Sequence, residues 1–434
     1  MTEFKKYKLG DIADIRTSNV DKKITPNQKT VKLCNFVDVY HNWAISKNNY
    51  SGFMTATASD DEISKFLLKK GQVAFTKDSE TRNDIGVSTY IAEDFEDVVL
   101  GYHTALATPD ERIVTGEYLN AFMHSSYIQK YFELNATGSG MRYTLSLQTL
   151  HDIPVLAPDL NTQHKIGTLL SNIDHKISVN REINRNLEEL AKQIYDYWFV
   201  QFDFPNEEGK PYKSSGGKMV YNELLKREIP AGWEVKKISS QIKENIGGDW
   251  GKEKPEGNYQ LKVSCCRGAD IVSMTDLPTR YILNANSSKL LKEDDIIVEI
   301  SGGSPTQATG RCVLISKEIL NSFDNKLICT NFCQAISILD KDYVSYFYHM
   351  WKMFYDSDVY FNFEGKTSGI KNFQYDTFVA EKWYFPPKDI AIKFGEIVSK
   401  NYKKKCELEL ENKRFAALRD ELLPMLMNGQ VEVK

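Results

Sequence analysis

The residues of this chain that could carry out chemistry are few, and their spacing is weakly diagnostic. Asp159, Glu208 and Lys210 form an acidic pair with a lysine, a set that can hold Mg²⁺ and activate a water molecule. The pattern is short and frequent by chance, and Asp159 stands where a helix is expected to begin, so both acidic residues also have ordinary structural uses. A self-sufficient nuclease is therefore an alternative that the sequence disfavours.

Other catalytic and cofactor signatures are missing from the sequence. There is no Walker A loop and no G-x-G-x-x-G turn, and Pro386-Pro387 lacks the Asn/Asp-Pro-Pro-aromatic order of a DNA methyltransferase. Cys329 and Cys333 could join His349 at a metal, but no fourth ligand stands at a useful spacing. The seven cysteines form no C-x-x-C pair and are predicted to be reduced and mostly buried. We predict no catalytic, cofactor-binding or metal-binding residue.

Polar side chains in loops offer binding instead of catalysis. Arginine, lysine, glutamine and tyrosine reach phosphates or base edges, and neighbouring glycines let a backbone come close to a ligand. Such residues fall in matching loops of the two halves of the chain. The predicted DNA-binding residues are Lys77, Arg82, Arg142 and Tyr143 in the first half, and Gln307, Arg311, Lys366 and Lys371 in the second.

The overall charge gives this prediction no support. A net charge of -4 and a pI near 6.1 argue against nucleic-acid binding through general positive charge, so basic residues would have to be concentrated on particular loops or supplied by partners. The modest acidity and the 23 tyrosines and 22 phenylalanines would also permit a non-catalytic adaptor that binds other proteins. No run approaches the length of a membrane span and no signal peptide is recognisable, so a cytoplasmic location is expected.

An internal repeat organises the chain. Segments match at an offset of 223 to 229 residues, beginning with Tyr7–Ile12 against Trp233–Ile238 and followed by Gly86 against Gly310. Framework positions agree between the halves, while the loops between them differ. A duplicated scaffold with two different targets would have this pattern.

Each half ends in a long helical segment with a heptad seam. The first is predicted from Asn161 to Phe199, about 55 Å at 1.5 Å per residue, and the second from Ile390 to Asn428, where Pro424 kinks or ends it. Asn180 is either a seam amide that fixes register or an exposed side chain. Two such seams predict antiparallel pairing, in which the helices act as a spacer between the copies.

The junction between the halves carries a resemblance to a known family. Tyr197-Trp198-Phe199, then Phe202-Asp203-Phe204-Pro205, then Gly209–Gly217, then Glu228–Val235 are similar to the specificity subunits of Type I restriction-modification systems. Gln163 resembles the family's entry into its long helix. The second copy lacks that glutamine, and the N-terminal copy lacks the Ile-Pro-x-Gly-Trp opening found before Glu234.

The resemblance implies an α+β fold with two similar α/β target-recognition domains, separated by two long antiparallel coiled-coil helices in a pseudo-two-fold internal repeat. Each domain would read one half of a split, asymmetric DNA site. The expected boundaries are 1–158 for the first domain, 159–204 for the first spacer helix, 205–229 for a linker, 230–387 for the second domain and 388–434 for the second helix.

The resemblance also implies partners. The chain itself would be no enzyme; modification (methyltransferase) subunits would bind S-adenosylmethionine and methylate adenine, and a restriction (motor-nuclease) subunit would use ATP and Mg²⁺ to cleave double-stranded DNA. This chain would contribute differential binding, with phosphate contacts for register and base contacts for choice.

Overall fold

The chain folds into two units. The computed structural model describes residues 3–139, 142–302, 306–367 and 370–433, with the side chains of Ser139, Lys366 and Thr367 outside the description. Unit 1 comprises Met1–Val179 with Arg414–Lys434, and unit 2 comprises Asn180–Lys413. Each unit therefore includes a part of both long helices, which the sequence had suggested as separate modules.

Unit 1 contains thirteen strands among the residues that are described. The strands are β1 (Lys5–Lys8), β2 (Ala13–Thr17), β3 (Lys29–Cys34), β4 (Ala44–Ile45), β5 (Met54–Ala58), β6 (Val73–Thr76), β7 (Asp78–Ser79), β8 (Ser88–Ile91), β9 (Val98–Leu100), β10 (Thr104–Pro109), β11 (Thr137–Ser139), β12 (Arg142–Thr144) and β13 (Pro154–Ala157). The helices are α1 (Leu9–Ile12), α2 (Phe36–His41), α3 (Asp60–Phe66), α4 (Gly116–Met123), α5 (Ser126–Asn135), α6 (Leu147–His151) and α7 (Leu160–Tyr195), the last of which continues into unit 2.

The sheets of unit 1 place a short polar ribbon beside a buried centre. The main sheet has the order β2-β10-β6-β8-β4. Its central strand is β6, and all four residues of β6 are buried. Smaller sheets have the orders β5-β3-β9, β1-β13 and β11-β12-β7. Since β7 begins two residues after β6 ends, the polar β11-β12-β7 ribbon follows the buried strand directly along the chain.

Unit 2 repeats this arrangement. Its strands are β14 (Met219–Asn222), β15 (Arg227–Pro230), β16 (Glu234–Lys237), β17 (Ile242–Gly247), β18 (Tyr259–Cys266), β19 (Thr279–Leu283), β20 (Ile296–Glu299), β21 (Ser301–Gly302), β22 (Cys312–Leu314), β23 (Lys326–Cys329), β24 (Cys333–Ile338), β25 (Glu364–Thr367), β26 (Ile370–Phe373) and β27 (Lys382–Phe385). The helices are α8 (Lys317–Asn321), α9 (Val344–Asp356), α10 (Tyr375–Val379) and α11 (Lys388–Met427), which continues into unit 1. The sheets have the orders β17-β24-β20-β22, β19-β18-β23, β21-β26-β25, β16-β27 and β14-β15.

Matching contacts hold the two scaffolds. In unit 1 the hydroxyl of Tyr118 on α4 donates to the carbonyl of Leu156 on β13 (2.5 Å), and in unit 2 the hydroxyl of Tyr346 on α9 donates to the carbonyl of Tyr384 on β27 (2.6 Å). Both tyrosines are fully buried, so an unmet hydroxyl would be costly and each bond fixes a helix against a strand. The duplication inferred from the sequence is thus visible in the packing.

A glycine facing an aromatic ring recurs at the predicted position. Gly86 has a φ of +78°, and a Cβ there would lie 2.3 Å from the ring of Phe132; Gly310 has a φ of +99°, and a Cβ would lie 2.6 Å from the ring of Tyr360. Both the left-handed backbone and the close approach require glycine. The match of Gly86 with Gly310 is therefore confirmed.

The first predicted match is wrong by three residues. Strands β1 and β16 are each four residues long, pair with β13 and β27 in the same way, and are followed at once by a helical turn that begins at Leu9 or Ile238. Phe4 therefore corresponds to Trp233, whereas the sequence comparison had aligned Tyr7 with it. Phe4 precedes the short N-terminal strand and Tyr7 lies within it, and only the pairing decides between the two.

The long helices are confirmed, and α7 passes into a π-helical segment at Asp196–Val200. Within unit 2 they run antiparallel: the Nδ2 of Asn180 donates to the Oδ1 of Asn412 (2.9 Å), and the Nδ2 of Asn184 donates to the carbonyl of Lys405 (3.4 Å). Asn180 is fully buried, which supports its interpretation as a seam amide. Pro424 lies inside the last turn of α11, so the helix continues past it to Met427.

The predicted linker is ordered. The carboxylate of Asp203 accepts from the backbone N–H and the hydroxyl of Ser214 (2.7 and 2.6 Å), the rings of Phe204 and Tyr212 stack with centroids 4.6 Å apart, and the β14–β15 hairpin follows. The prolines, glycines and serines between residues 205 and 217 thus form tight turns rather than a loose connection.

Two other expectations concern cysteines and membranes. All seven cysteines are free, and six of them are buried, as predicted. Within the described ranges, no helix combines the length and apolar character that crossing a bilayer requires.

Candidate nucleic-acid interface

A hydrogen-bonded cluster forms around Asp78 in unit 1. Strand β7 presents this carboxylate to the Nδ1 of His103, 2.5 Å away, and to the Nη2 of Arg142 on β12, 3.1 Å away. Burial raises the pKa of Asp78, but hydrogen bonds from Thr144, His103 and Arg142 outweigh it and hold the pKa below its usual value. The ionised carboxylate therefore fixes a histidine and an arginine in place.

The guanidinium of Arg142 is held but still open to solvent. Its side chain is 61% exposed, and among the described residues only Nη2 donates a hydrogen bond to a carboxylate. The remaining N–H groups can pair with a planar acceptor such as the edge of guanine. A cleft of about 520 Å³ lies beside it, lined by Tyr40 and Asp84, which hydrogen bond to each other (2.8 Å).

The other predicted residues of the first half gather on the same ribbon. The guanidinium of Arg82 lies 5.2 Å from the ring centroid of Tyr143, a cation–π geometry that leaves both side chains near solvent. Lys77 connects β6 to β7, and its carbonyl accepts from the N–H of Leu145. The structure thus brings together all four residues predicted in this half.

Two of the four residues predicted in the second half make buried ion pairs. Arg311 donates from Nε and Nη2 to the two carboxylate oxygens of Glu299 (2.9 and 2.8 Å), and the Nζ of Lys371 lies 3.1 Å from Glu364. Glu299 and Glu364 are 6% and 5% exposed at their side chains, and Lys371 is 14% exposed. Arg311 and Lys371 therefore stabilise the loops of unit 2 through ion pairs with buried carboxylates.

The remaining pair lies at the edge of the described region. Gln307 is exposed, and its carbonyl accepts from Lys371 (3.2 Å). The backbone of Lys366 belongs to β25, but its side chain lies outside the described residues.

Sequence reasoning missed Asp78 and His103. Asp78 follows Lys77 directly and lies four residues before Arg82, so an acidic residue between two predicted DNA-binding residues was an available signal. His103 gave no signal, because it is 25 residues from Asp78 in sequence and only the tertiary fold brings the two side chains together.

The residues of the nuclease alternative have structural roles. The carboxylate of Asp159 accepts from the N–H and hydroxyl of Thr162 (3.0 and 2.7 Å) and so caps α7. Glu208 makes an exposed ion pair with Lys210 (2.9 Å). In the part of the chain that is described, no three His, Cys, Asp or Glu side chains are placed to hold a metal ion.

Comparisons with known proteins bear on this site. Residues 1–189 match the family model described as Type I restriction modification DNA specificity domain. The chain is 25% identical over 333 residues, 74% of this chain and 70% of the relative, to the Type I restriction enzyme MjaIX specificity subunit of Methanocaldococcus jannaschii. It is 23% identical over 476 aligned residues, 99% of this chain and all of the relative, to the HindI specificity subunit of Haemophilus influenzae.

A solved S-subunit structure is similar in fold to this chain. The S subunit of a Type-I restriction-modification system from M. genitalium has a TM-score of 0.57 and 15% sequence identity, and the match covers 98% of this chain and 96% of that one. The similarity therefore extends over both units and both long helices.

Proposed function

We propose that this chain, which belongs to the family of Type I restriction-modification specificity subunits, reads a DNA site in two halves, one with each unit. Its function is DNA sequence recognition for such a system, and it is a non-catalytic subunit. The reading of two different half-sites, the residues that do it and the partners are our proposals.

The duplicated scaffold with unlike reading positions carries the proposal. Backbone pairing makes Asp78 equivalent to Ser301 and His103 equivalent to Phe332. In both units the backbone N–H of the residue just before β7 or β21 donates to the backbone carbonyl of residue 103 or 332. Arg142 corresponds in register to Ile370. One scaffold with two sets of side chains would select two different sequences, so the whole site would be asymmetric.

In unit 1, Arg142 would read a base and its neighbours would position the DNA. An arginine held by an ionised carboxylate pairs well with the O6 and N7 of guanine in the major groove. Lys77 and Arg82 would contact phosphates, and Tyr143 would support Arg82 through the cation–π contact.

In unit 2 the charged residues would divide their work. Gln307, in the loop after β21, and Lys366, on β25, would contact DNA. Arg311 and Lys371 would act indirectly, because their ion pairs with buried carboxylates hold the shape of those loops.

The long helices would act as a spacer and dock partners. Apolar side chains remain exposed along them, including Ile183, Leu190 and Leu418, each more than a third exposed. We propose that modification subunits, which bind S-adenosylmethionine and methylate adenine, cover these surfaces in the cytoplasm. A restriction subunit that uses ATP and Mg²⁺ would join the same complex.

Adenine-methylation mapping tests the proposal. Genomic DNA from cells that express this chain with its modification subunits is compared with DNA from cells that express the modification subunits alone. A split, asymmetric motif that depends on this chain is expected, and replacement of residues 1–158 by those of another specificity subunit should change one half only. An assembled, active complex that methylates no split motif would refute the two-half reading.

A further inference from the structure

We propose that a polar cleft in unit 2 reads an A·T base pair in the half-site that this unit contacts, an inference that rests on the proposed function. The cleft, here called the amide cleft, has a volume of about 460 Å³. Its polar walls include Asn245, Ser301, Gln334, Asn372 and Gln374. No residue of this cleft was predicted from the sequence to bind DNA.

The cleft lies beside the ribbon that corresponds to the arginine-bearing ribbon of unit 1. Ser301 on β21 pairs with Asn372 on β26, and the hydroxyl of Ser301 donates to the Oδ1 of Asn372 (2.7 Å). That bond fixes which end of the amide is oxygen and which is nitrogen, so the orientation of the Asn372 amide is set before DNA binds. A preset amide loses little conformational freedom when it binds a base.

Gln374 occupies a helix N-cap position without capping the helix. It precedes α10, and its side chain accepts no capping hydrogen bond. The equivalent residue of unit 1 is Ser146, whose hydroxyl accepts from the N–H of Thr149 (3.0 Å) and caps α6. Glutamine is not among the favoured N-cap residues, so helix stability does not account for it. Gln374 is exposed and instead lines the cleft.

Gln334 places a third amide on the wall of the cleft. It lies on β24, is 7% exposed, and its Nε2 has no hydrogen-bond partner among the described residues. Strand pairing makes it equivalent to Ala105 of unit 1, since Gln334 is opposite Val298 and Ala105 is opposite Phe75. A buried amide without a partner is rare and points to a ligand that completes its hydrogen bonding.

The amides belong to unit 2 alone. At the three matched positions unit 1 has Ala105, Thr144 and Ser146, none of which carries an amide. The same scaffold positions thus differ in one chemical property, as expected of positions that choose a base.

Adenine is the base that this chemistry favours. An asparagine or glutamine amide donates to N7 and accepts from the N6 amino group of adenine, and this two-bond pairing distinguishes A·T from the other base pairs in the major groove. Asp376 is the one charged side chain on the described walls of the cleft. A surface that only held phosphates would instead be rich in lysine and arginine.

The test replaces the amides with the residues that unit 1 already uses. The variant Asn372→Thr with Gln374→Ser removes two amides and supplies a favoured N-cap, so folding is preserved. The assembled complex with modification subunits is titrated with duplexes in which each position of the mapped site is changed in turn. Gln260→Ser, which removes an exposed amide elsewhere in unit 2, is the matched control.

Discrimination at one A·T position of one half-site is expected to fall by roughly 10- to 100-fold, while the other half-site is read as before. The control should read the site as the wild type does. Unchanged discrimination at every A·T position, relaxation at a G·C position, or loss of all specific binding by an assembled complex would overturn the inference. If the wild-type complex has no split site at all, the proposed function fails first, which distinguishes the two failures.

Discussion

Exchange of the Glu299–Arg311 ion pair for its counterparts in unit 1 tests the structural role of Arg311. Backbone bonds make Glu299 equivalent to Thr76 and Arg311 equivalent to Val87, because the N–H of residue 76 or 299 donates to the carbonyl of residue 87 or 311. The variants are therefore Glu299→Thr, Arg311→Val and the pair together.

The expected free energies follow from burial. Arg311→Val leaves the Glu299 carboxylate, 6% exposed, without its two donors and should lower the free energy of unfolding by about 3–5 kcal/mol. Glu299→Thr leaves Arg311, which is 21% exposed, with better access to water and should cost about 1–3 kcal/mol. The double variant should lie within about 2 kcal/mol of the wild type, because apolar replacements of buried pairs are often close to neutral.

Urea unfolding together with hydrogen exchange of the β20 and β22 amides measures these differences within unit 2. Arg112→Val, which breaks a pair on the surface of unit 1, is the control and should leave β20 and β22 unchanged. A double variant as unstable as Arg311→Val would refute the pairing argument. If the double variant is stable but the complex no longer recognises its site, the Glu299–Arg311 pair takes a direct part in recognition and does more than hold the fold.

Three further changes have outcomes that the structure specifies. Gln163→Leu should destabilise unit 1 by about 2–5 kcal/mol, measured by urea unfolding, because the buried amide accepts from the N–H of Thr115 and donates to two carbonyls. Burial lowers the pKa of His124 to about 4, below its value in the unfolded chain. The stability that neutral His124 contributes is therefore complete above about pH 6.5 and is lost as the pH falls toward 4. The free energy of unfolding of unit 1 should fall by about 2 kcal/mol between pH 7 and pH 5, measured by hydrogen exchange. Gly86→Ala should cost at least about 3 kcal/mol in thermal unfolding, since the added Cβ would lie 2.3 Å from Phe132.

Each of these changes has a control. Gly52→Ala adds a Cβ with nothing within 4 Å and should be close to neutral. His124→Gln keeps a donor for the carbonyl of Ser88 but does not titrate, so the loss between pH 7 and pH 5 should shrink. A Gln163→Glu variant as stable as the wild type would contradict the role of the two carbonyls, because a carboxylate cannot donate to them.

The sequence was sufficient for the parts of the fold that repeat or have a period. The helical seams predicted α7 and α11 to within a few residues, and Gly86 and Gly310 marked equivalent turns because both the backbone conformation and the facing ring exclude a side chain. Where two aromatic residues lay close together, as at Phe4 and Tyr7, only strand pairing could give the register.

The candidate site was predictable only where local sequence decides exposure. Arg142, at the start of β12, and Arg82, in the turn after β7, reach solvent. The local sequence does not distinguish Arg311 and Lys371 from these exposed cations. Their carboxylate partners are 12 and 7 residues away and are buried by tertiary packing. The amides of unit 2 carry no charge and follow no motif, so nothing singled them out before the equivalence of the strands was known.

Unit 1 is made of two separate segments of the chain, and this has a consequence for its folding during synthesis. Its buried cluster includes Leu423, Leu426 and Met427, and its last segment begins about 235 residues after its first one ends. At 5 to 20 residues per second, a ribosome needs about 10 to 50 s to deliver that segment. During this interval the N-terminal domain lacks part of its core, whereas unit 2 is contiguous and emerges in one piece. Unit 2 can thus fold to completion before unit 1. We expect a chaperone to stay bound longer to the N-terminal half, because that half remains incompletely folded for longer.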